Sequence, residues 1–216
     1  MAIDTVIFDF DGTIANTNQV IINSWQHTYM ARNGAPGDEA EIVKSFGEPL
    51  AVTMAKVFPD FDVDESIKIY RGYQVQHFSD MIEIFPGVKE SMEKLKKEGY
   101  RIAVVTSRMR NTTCEGMEAF GIEHLVDTLV SCEDTDKHKP DPEPVLKALE
   151  KLEIEPEEAV MVGDSMFDIR CAHNAGVKAA LVSWAVAVSD EERKGPEGPE
   201  YYLEEADDIL DIVKKA

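Results

Sequence analysis

The chain has 216 residues, 44% hydrophobic and 30% charged, which is the composition of a globular protein rather than of a disordered or collagenous one. Its 22 basic and 42 acidic residues give a net charge of -20, which would repel nucleic acids and anionic membranes, so we expect neither as a partner. Three widely spaced cysteines argue against a disulfide framework or a zinc site. The apolar run at the start stops at Asp9 and no basic segment precedes it, which argues against a signal peptide and favours a cytoplasmic protein. The sequence does not indicate an oligomeric state.

The first part of the chain predicts one strand followed only by helices. Residues 3–8 are β-branched and aromatic and predict a buried strand. Asp38, with Glu41 three residues later, predicts the beginning of a helix. The other helices are predicted over 17–33, where Gly34 ends the helix, over 49–57 and over 64–81. Since no strand pattern occurs between about 16 and 82, this stretch is predicted to be entirely helical.

After Pro86 and Gly87 the pattern changes to alternating strands and helices. The predicted strands are 101–106, 128–131, 159–162 and 178–182, and the predicted helices are 88–98, 111–120, 142–152, 167–175 and 207–215. Such alternation predicts an α/β fold with a parallel sheet and right-handed crossovers. The all-helical stretch would therefore interrupt this sheet domain after its first strand.

Polar side chains follow four of the predicted strands. They are Asp9 and Asp11, Thr106 and Ser107, Lys139, and Asp164 with Asp168. Ligands of open parallel sheets bind at the carboxyl ends of the strands, so we expect these groups to converge on one edge of the sheet. Taken singly, each is more often a turn residue, a strand-end hydroxyl or a solvated lysine, but their combination favours a catalytic site.

The combination is typical of phosphoryl transfer through an aspartyl phosphate. Asp9 would attack phosphorus, and Asp11 would protonate the leaving oxygen and later activate water. Asp9 and Asp164 would hold Mg²⁺, which prefers carboxylate oxygens and offsets the repulsion between the nucleophile and an anionic phosphate. Lys139 and the Thr106 hydroxyl would hold the transferred phosphoryl oxygens.

Glycine at position 12 would let backbone amides approach the phosphate. A lone D-x-D-G sequence is also found in calcium loops, but an EF-hand requires its glycine at the sixth position and here it is at the fourth.

Four segments in this order resemble the motifs of the haloacid dehalogenase superfamily, subfamily IA. They are Asp9-Phe10-Asp11-Gly12-Thr13, Thr106-Ser107, Lys139-Pro140-Asp141-Pro142 and Gly163-Asp164-Ser165-Met166-Phe167-Asp168. The resemblance implies a Rossmann-like core of residues 1–15 plus 83–216 with an inserted α-helical cap of residues 16–82. It also implies a Mg²⁺-dependent aspartyl-phosphate mechanism.

The same resemblance implies roles for further residues. The backbone carbonyl of Asp11 would be a metal ligand, and Asp168 would support the metal-bound waters. Gly12, Thr13 and Ser107 would help to position the phosphate. The second aspartate of the first motif, Asp11, argues against the dehalogenase members.

Within the superfamily the chain is most similar to bacterial phosphoglycolate phosphatases and to Mg²⁺-dependent pyrophosphatases. We therefore expect a phosphohydrolase whose substrate is a small phosphorylated metabolite or inorganic pyrophosphate. A sugar phosphomutase of the β-phosphoglucomutase type is an alternative, although that branch typically carries valine where this chain has Thr13. A receiver-type signalling module is a second alternative, which the chain order argues against because the acidic pair follows the first strand.

Residues outside these motifs would select the substrate, since the motifs bind the phosphoryl group that all candidates share. Lys44, Arg71 and Arg108 are candidate substrate-binding cations. Glu48 would either accept a hydrogen bond from a substrate hydroxyl or cap the helix that begins near Pro49.

Overall fold

A computed structural model describes residues 2–215 of the chain. The strands are β1 (Thr5–Phe8), β2 (Ala15–Asn16), β3 (Glu83–Ile84), β4 (Arg101–Val105), β5 (Thr128–Val130), β6 (Ala159–Gly163), β7 (Lys178–Val182) and β8 (Tyr201–Leu203). Six of them form one parallel sheet in the order β5-β4-β1-β6-β7-β8. The predicted α/β class with a parallel sheet is confirmed.

Helices connect these strands. They are α1 (Asn18–Asn33), α2 (Glu39–Lys44), α3 (Leu50–Val57), α4 (Val63–Met81), α5 (Val88–Lys97), α6 (Arg110–Phe120), α7 (Glu143–Leu152), α8 (Met166–Asn174), α9 (Asp190–Lys194) and α10 (Asp208–Lys215). None of the helices within residues 2–215 has the length and apolarity that crossing a lipid bilayer requires.

The centre of the sheet is β1, the first strand of the chain. All four of its residues are buried, and because successive side chains point to opposite faces, both faces of the sheet must be covered here. Phe8 is in register with Val104 of β4 on one side and with Val162 of β6 on the other. The carboxyl ends of these three strands therefore lie side by side.

Helices α1–α4, here called the helical insert, lie between β2 and β3 and have a small hydrophobic core of their own. Its buried members are Ile22, Trp25, Ile42, Phe46, Met54, Phe58 and Tyr70. The residues of the sheet and its helices form a separate, larger cluster. These two clusters support the predicted division into a core and a cap of residues 16–82, which stays a prediction.

The two chain segments that enter and leave the helical insert pair with each other. Ala15 and Asn16 of β2 form an antiparallel ladder with Ile84 and Glu83 of β3. This ribbon was not predicted from the sequence. The insert is thus attached through a hydrogen-bonded pair of strands.

Most predicted elements agree with the structure to within two residues at each end, and several predicted caps are confirmed. Asp38 accepts hydrogen bonds from the backbone N–H groups of Ala40 and Glu41, and Gly34 adopts the left-handed conformation after α1. The side chain of Glu41 pairs with Lys44 and does not complete a capping box. Two elements near the end of the chain, α9 and β8, were not predicted.

Candidate active site

The predicted catalytic groups do converge at the carboxyl edge of the sheet. Asp9 follows β1, Thr106 follows β4, and Asp164 follows β6, and these strands are adjacent. From β1 the chain fills the β4 and β5 side of the sheet first and then crosses to β6 on the other side. This reversal of strand order opens a crevice at the strand ends, where α/β proteins bind ligands.

Lys139 connects two aspartates at this edge. Its Nζ atom lies 2.8 Å from Asp9 Oδ1 and 2.7 Å from Asp168 Oδ1, and all three side chains are buried. Ion pairs in so dry an environment are strong only when both partners stay in place. The side chain that follows β1 is therefore held by one that lies 130 residues further along the chain.

A capping box at the start of α8 fixes Asp168. Its Oδ2 accepts hydrogen bonds from the Ser165 backbone N–H at 3.1 Å and from the Ser165 hydroxyl at 2.6 Å. Asp168 thus uses one oxygen for Lys139 and the other for the helix N-terminus. A Cβ atom placed on Gly12 would lie 2.0 Å from Asp164 Oδ2, so Asp164 occupies space that only a glycine at position 12 leaves open.

Crowding of acidic groups shifts the ionisation of the site. Burial raises the pKa of Asp9 to about 7, and repulsion from Asp168 and Asp11 adds to the rise, although Lys139 opposes it. The pKa of Asp164 lies well above its usual range, first because of burial and then because of the neighbouring carboxylates. Burial works to lower the pKa of Lys139, but attraction to Asp168 and Asp9 outweighs it and the pKa lies above its ordinary value.

The donor set suits a divalent cation. Carboxylate oxygens of Asp9, Asp164 and Asp168 lie within 4.8 Å of one another, and Lys139 supplies only one positive charge among them. A cation with oxygen preference would relieve the remaining repulsion. Since Asp168 already uses both oxygens, Asp9 and Asp164 are the better placed carboxylate ligands. The Asp11 carboxylate is not one of the oxygens of this cluster, and the role of the Asp11 backbone carbonyl as a ligand stays a prediction.

The Asp11 side chain pairs with Arg108. The Nε atom of Arg108 lies 3.0 and 2.9 Å from the two carboxylate oxygens, and Nη2 lies 2.9 Å from Oδ1. Arg108 is buried, and its backbone N–H donates to the Thr106 hydroxyl at 3.1 Å. Asp11, the expected catalytic acid, is therefore connected through Arg108 to the end of β4, the strand adjacent to β1.

A cavity of ≈ 220 Å³ lies between these strand ends and the helical insert. Eleven of the predicted site residues line it: Asp9, Asp11, Gly12, Glu48, Arg71, Thr106, Ser107, Arg108, Lys139, Asp164 and Asp168. The sequence analysis therefore found most of the lining on the sheet side.

Two predicted residues do not reach this cavity. The Lys44 side chain is 70% exposed and pairs with Glu41 on the surface of α2. The Thr13 side chain is buried, and its hydroxyl has no hydrogen-bond partner among residues 2–215; it lines a separate cavity of ≈ 10 Å³ together with Trp184. The structure does not bring the Lys44 and Thr13 side chains to the cavity, and their predicted roles in binding substrate and in positioning the phosphate stay predictions.

Glu48 lines the cavity, but it does not cap α3. Its Oε2 atom accepts from the Thr53 hydroxyl at 2.7 Å and its Oε1 atom from Lys56, whereas the capping position is Pro49. Burial opposes ionisation, but hydrogen bonds from Lys56 and Thr53 lower the pKa of Glu48 below its ordinary value. A fixed negative charge therefore faces the cavity from the helical insert.

The sequence analysis missed the lining residues of the insert and of α6. They include Asn18, Trp25, Tyr70, Gln74, Asn111 and Thr112. Tyr70 and Gln74 lie one helical turn apart on α4, a spacing that also fits a helix packed on a core, so this spacing alone carries no signal of a ligand. Ser165 was identifiable, because Ser-x-x-Asp at a helix start predicts a capping box.

Comparison with known proteins agrees with the site. The family model described as haloacid dehalogenase-like hydrolase matches residues 6–182. A protein named "Putative pyrophosphatase PpaX" from Caldanaerobacter subterraneus subsp. tengcongensis is 42% identical over 99% of this chain and 96% of its own length. Pyrophosphatase PpaX of Halalkalibacterium halodurans is 36% identical over 99% of this chain and 98% of its own. A crystal structure described as "putative phosphoglycolate phosphatase" from Lactobacillus plantarum superposes with a TM-score of 0.87 at 28% identity, covering 98% of this chain and 100% of that one.

Proposed function

Because this chain belongs to the haloacid dehalogenase-like hydrolase family, we propose that it hydrolyses a small phosphorylated substrate through a phosphorylated Asp9, with Mg²⁺ as cofactor. It is a hydrolase of the phosphatase and pyrophosphatase kind. Inorganic pyrophosphate is the first substrate to consider, since two relatives that match nearly the whole chain are named pyrophosphatases. Phosphoglycolate is the second.

The observation that carries the proposal is the bridge of Asp9, Lys139 and Asp168 beside Asp164 at the floor of the cavity. A carboxylate is a weak nucleophile toward an anionic phosphate unless nearby positive charge offsets their repulsion. Lys139 lies 2.8 Å from Asp9 and can hold both the nucleophile and a phosphoryl oxygen. The Thr106 hydroxyl, at the end of the adjacent strand, offers a second donor to that group.

In the first step the Asp9 carboxylate attacks phosphorus. The bond from phosphorus to the leaving oxygen breaks, its electron pair stays with that oxygen, and Asp11 supplies the proton that the oxygen takes up. In the second step the Asp11 carboxylate removes a proton from water, whose oxygen attacks the phosphorus on Asp9. The bond between phosphorus and Asp9 then breaks, releasing inorganic phosphate and regenerating both aspartates.

Asp9, Asp164 and the backbone carbonyl of Asp11 would hold Mg²⁺. The ion supplies positive charge to the phosphoryl oxygens during transfer. The chain's own part is to keep Asp164 next to Gly12 and to keep Asp168 and Lys139 paired, so that the Asp9 carboxylate is aimed at phosphorus before the substrate arrives.

The size of the cavity favours a small substrate. Pockets for drug-sized ligands span roughly 300–1,000 Å³, whereas this cavity measures ≈ 220 Å³. Pyrophosphate and phosphoglycolate fit such a volume better than a nucleotide does. Binding energy in so small a site must come from charge and hydrogen bonds rather than from apolar area.

Membership of this family leaves a sugar phosphomutase as an alternative function. A receiver-type module is set aside, since the relatives are named as enzymes. A phosphomutase would return the phosphoryl group from Asp9 to a sugar instead of to water. If the protein isomerised a sugar phosphate without releasing phosphate, it would be a phosphomutase and not the proposed hydrolase.

The test is release of inorganic phosphate from pyrophosphate, phosphoglycolate, sugar phosphates and nucleotides, with Mg²⁺ and then with excess EDTA. We expect turnover of pyrophosphate or phosphoglycolate that EDTA abolishes. The Asp9→Asn variant should lose at least about 10⁴-fold in rate because it removes the nucleophile.

Asp4→Asn is the matched control. Asp4 precedes the same strand at its opposite end and pairs with Arg101 far from the cavity, so its loss should leave the rate unchanged. Normal turnover by Asp9→Asn would refute the mechanism.

A further inference from the structure

Besides Lys139, the cavity contains a second buried cation, Arg108. Its side chain is 3% exposed, and its guanidinium carbon lies 4.3 Å from the centre of the Phe78 ring. Its Nη1 atom lies 3.4 Å from Gln74 Oε1 and 3.4 Å from the Thr112 hydroxyl. Arg108 is thus held in one orientation by α4 of the helical insert and by α6.

The two cations are paired with different catalytic aspartates. Lys139 bonds to Asp9, the attacking group, and Arg108 bonds to Asp11, the group expected to protonate the leaving oxygen. The transferred phosphoryl group must approach Asp9, and the leaving group must approach Asp11. The positive charge of the cavity is therefore distributed over both ends of the substrate.

An anionic leaving group would compete with Asp11 for the N–H donors of Arg108. The guanidinium presents Nε and Nη2 as a planar fork, the geometry that binds two oxygens of a phosphate or a carboxylate together. Transfer of this fork from Asp11 to the substrate would release the Asp11 carboxyl group at the time when it must exchange a proton. A leaving group without charge offers nothing to replace Asp11.

We propose that Arg108 binds the anionic end of the leaving group and thereby makes the enzyme selective for substrates that carry a second negative group, such as the distal phosphoryl of pyrophosphate. This inference rests on the proposed function, because it takes Asp9 as the attacking residue. The shared chemistry is an anionic group that presents two oxygens to the guanidinium, which the carboxylate of phosphoglycolate also provides.

The test compares the effect of each variant on substrates whose leaving groups do or do not carry a negative charge. Wild type, Arg108→Met and Arg108→Lys are assayed with pyrophosphate, phosphoglycolate and 2-hydroxyethyl phosphate, whose leaving group is neutral. We expect Arg108→Met to lower kcat/KM for pyrophosphate by about 100-fold more than for 2-hydroxyethyl phosphate, because a buried charge pair is lost. Arg108→Lys, which keeps the charge but not the fork, should lose less selectivity than Arg108→Met.

The ratio between substrates does not depend on how much of a variant is folded, so partial misfolding of Arg108→Met leaves the comparison valid. Arg110→Met is the control, since Arg110 begins α6 near Arg108 but pairs with Asp134 and does not line the cavity. A loss confined to pyrophosphate assigns Arg108 to a phosphoryl group, and a loss on phosphoglycolate as well assigns it to either anion. Equal losses on all three substrates would overturn the proposal and leave Arg108 as a support for Asp11.

A binding measurement separates this inference from the proposed function. Titration calorimetry with Mg²⁺ present would compare methylenediphosphonate with methylphosphonate, which lacks the second anion. We expect Arg108→Met to raise the dissociation constant of methylenediphosphonate by about 100-fold and to change that of methylphosphonate little. If the wild type releases phosphate from no substrate, the proposed function fails, and this ratio still decides the role of Arg108. A similar change in the dissociation constants of both probes would overturn the proposed role of Arg108.

Discussion

Gly12 shows how one residue can fix the geometry of this site. It adopts a φ of 75°, a left-handed conformation that costs other residues about 1–2 kcal/mol. It also leaves the space in which Asp164 lies, and any Cβ would fall 2.0 Å from Asp164 Oδ2. The glycine thus positions Asp164, the proposed metal ligand, as well as forming a turn.

We expect Gly12→Ala to lower kcat/KM by at least about 100-fold, because Asp164 must move by an ångström or more. Gly99→Ala is the control, since Gly99 has a φ of 92° with open space around it. Gly99→Ala should lose only the free energy of unfolding that its backbone strain costs, and only Gly12→Ala should lose activity and Mg²⁺ affinity. Equal activity of the two variants would contradict the role of the Asp164 contact.

The convergence of the candidate catalytic residues was predictable from the sequence, whereas their side-chain pairings were not. Asp9, Thr106 and Asp164 end buried strands, and parallel strands bring such positions to one edge. The pair of Asp11 and Arg108 joins residues 97 apart that follow adjacent strands, and the orientation of the guanidinium also depends on contacts from α4 and α6. Local patterns contain no information on such a contact.

At the scale of the elements, the loop after β5 is closed by one carboxylate. Asp134 Oδ2 accepts from the Ser131 backbone N–H and hydroxyl, both at 2.7 Å, and from Arg110 at the start of α6. Burial opposes ionisation here, yet the hydrogen bonds from Ser131 and the Arg110 guanidinium lower the pKa of Asp134 to about 2. The loop that leads to Lys139 therefore begins with a strongly held turn.

This shift predicts a dependence of stability on pH. The folded-state pKa of Asp134 is depressed from 3.8, so its stabilisation is present above about pH 4 and is lost as pH falls toward 2. Because solvent screens this charge, we expect the stabilisation by the ionised Asp134 to be about 1 kcal/mol. Asp134→Asn should lower the free energy of unfolding in urea by this amount at pH 7 and by much less at pH 2.

Asp60→Asn removes the same charge from an exposed turn in which Asp60 has no hydrogen-bond partner within residues 2–215. It should leave the unfolding free energy nearly unchanged at both pH values. A difference between wild type and Asp134→Asn that is constant from pH 7 to pH 2 would contradict the linkage.

Two elements illustrate the limits of local prediction. Helix α9 begins with Ser189 and Glu192, a capping box that the sequence does display, so it could have been predicted. Strand β8 has only three residues at the edge of the sheet, too few to show an alternating pattern. The ribbon of β2 and β3 consists of two-residue strands, whose pairing depends on where the whole insert returns.

At the scale of the whole molecule, Gly47 is a point where the helical insert contacts the sheet domain. Its φ is 84°, and a Cβ atom there would lie 2.6 Å from Ser165 Oγ. Ser165 cannot easily yield, because its hydroxyl is hydrogen-bonded to Asp168. The insert can therefore approach the carboxylates this closely only with glycine at this position.

We expect Gly47→Ala to hold the insert away from the site and to lower kcat/KM roughly 10- to 100-fold. Gly34→Ala, at a φ of 68° in open space within the same insert, should have normal kinetics despite comparable backbone strain. Small-angle scattering with Mg²⁺ and methylenediphosphonate should show less compaction for Gly47→Ala than for wild type. Wild-type kinetics of Gly47→Ala would refute the role of this contact in holding the insert close to the site.

The position of β1 at the centre of the sheet has a consequence for biosynthesis. Its partners begin at Arg101 and Ala159, so the nascent chain makes the central strand first and both of its neighbours late. At about 5–20 residues per second, roughly 8–30 s separate the synthesis of β1 from that of β6. Until β4 has been made both edges of this apolar strand are unpaired, and until β6 has been made one edge stays unpaired; such a segment is prone to aggregate or to be bound by chaperones. Strand β1, which Asp9 directly follows, can therefore complete its pairing only after the ribosome has made β4 and β6.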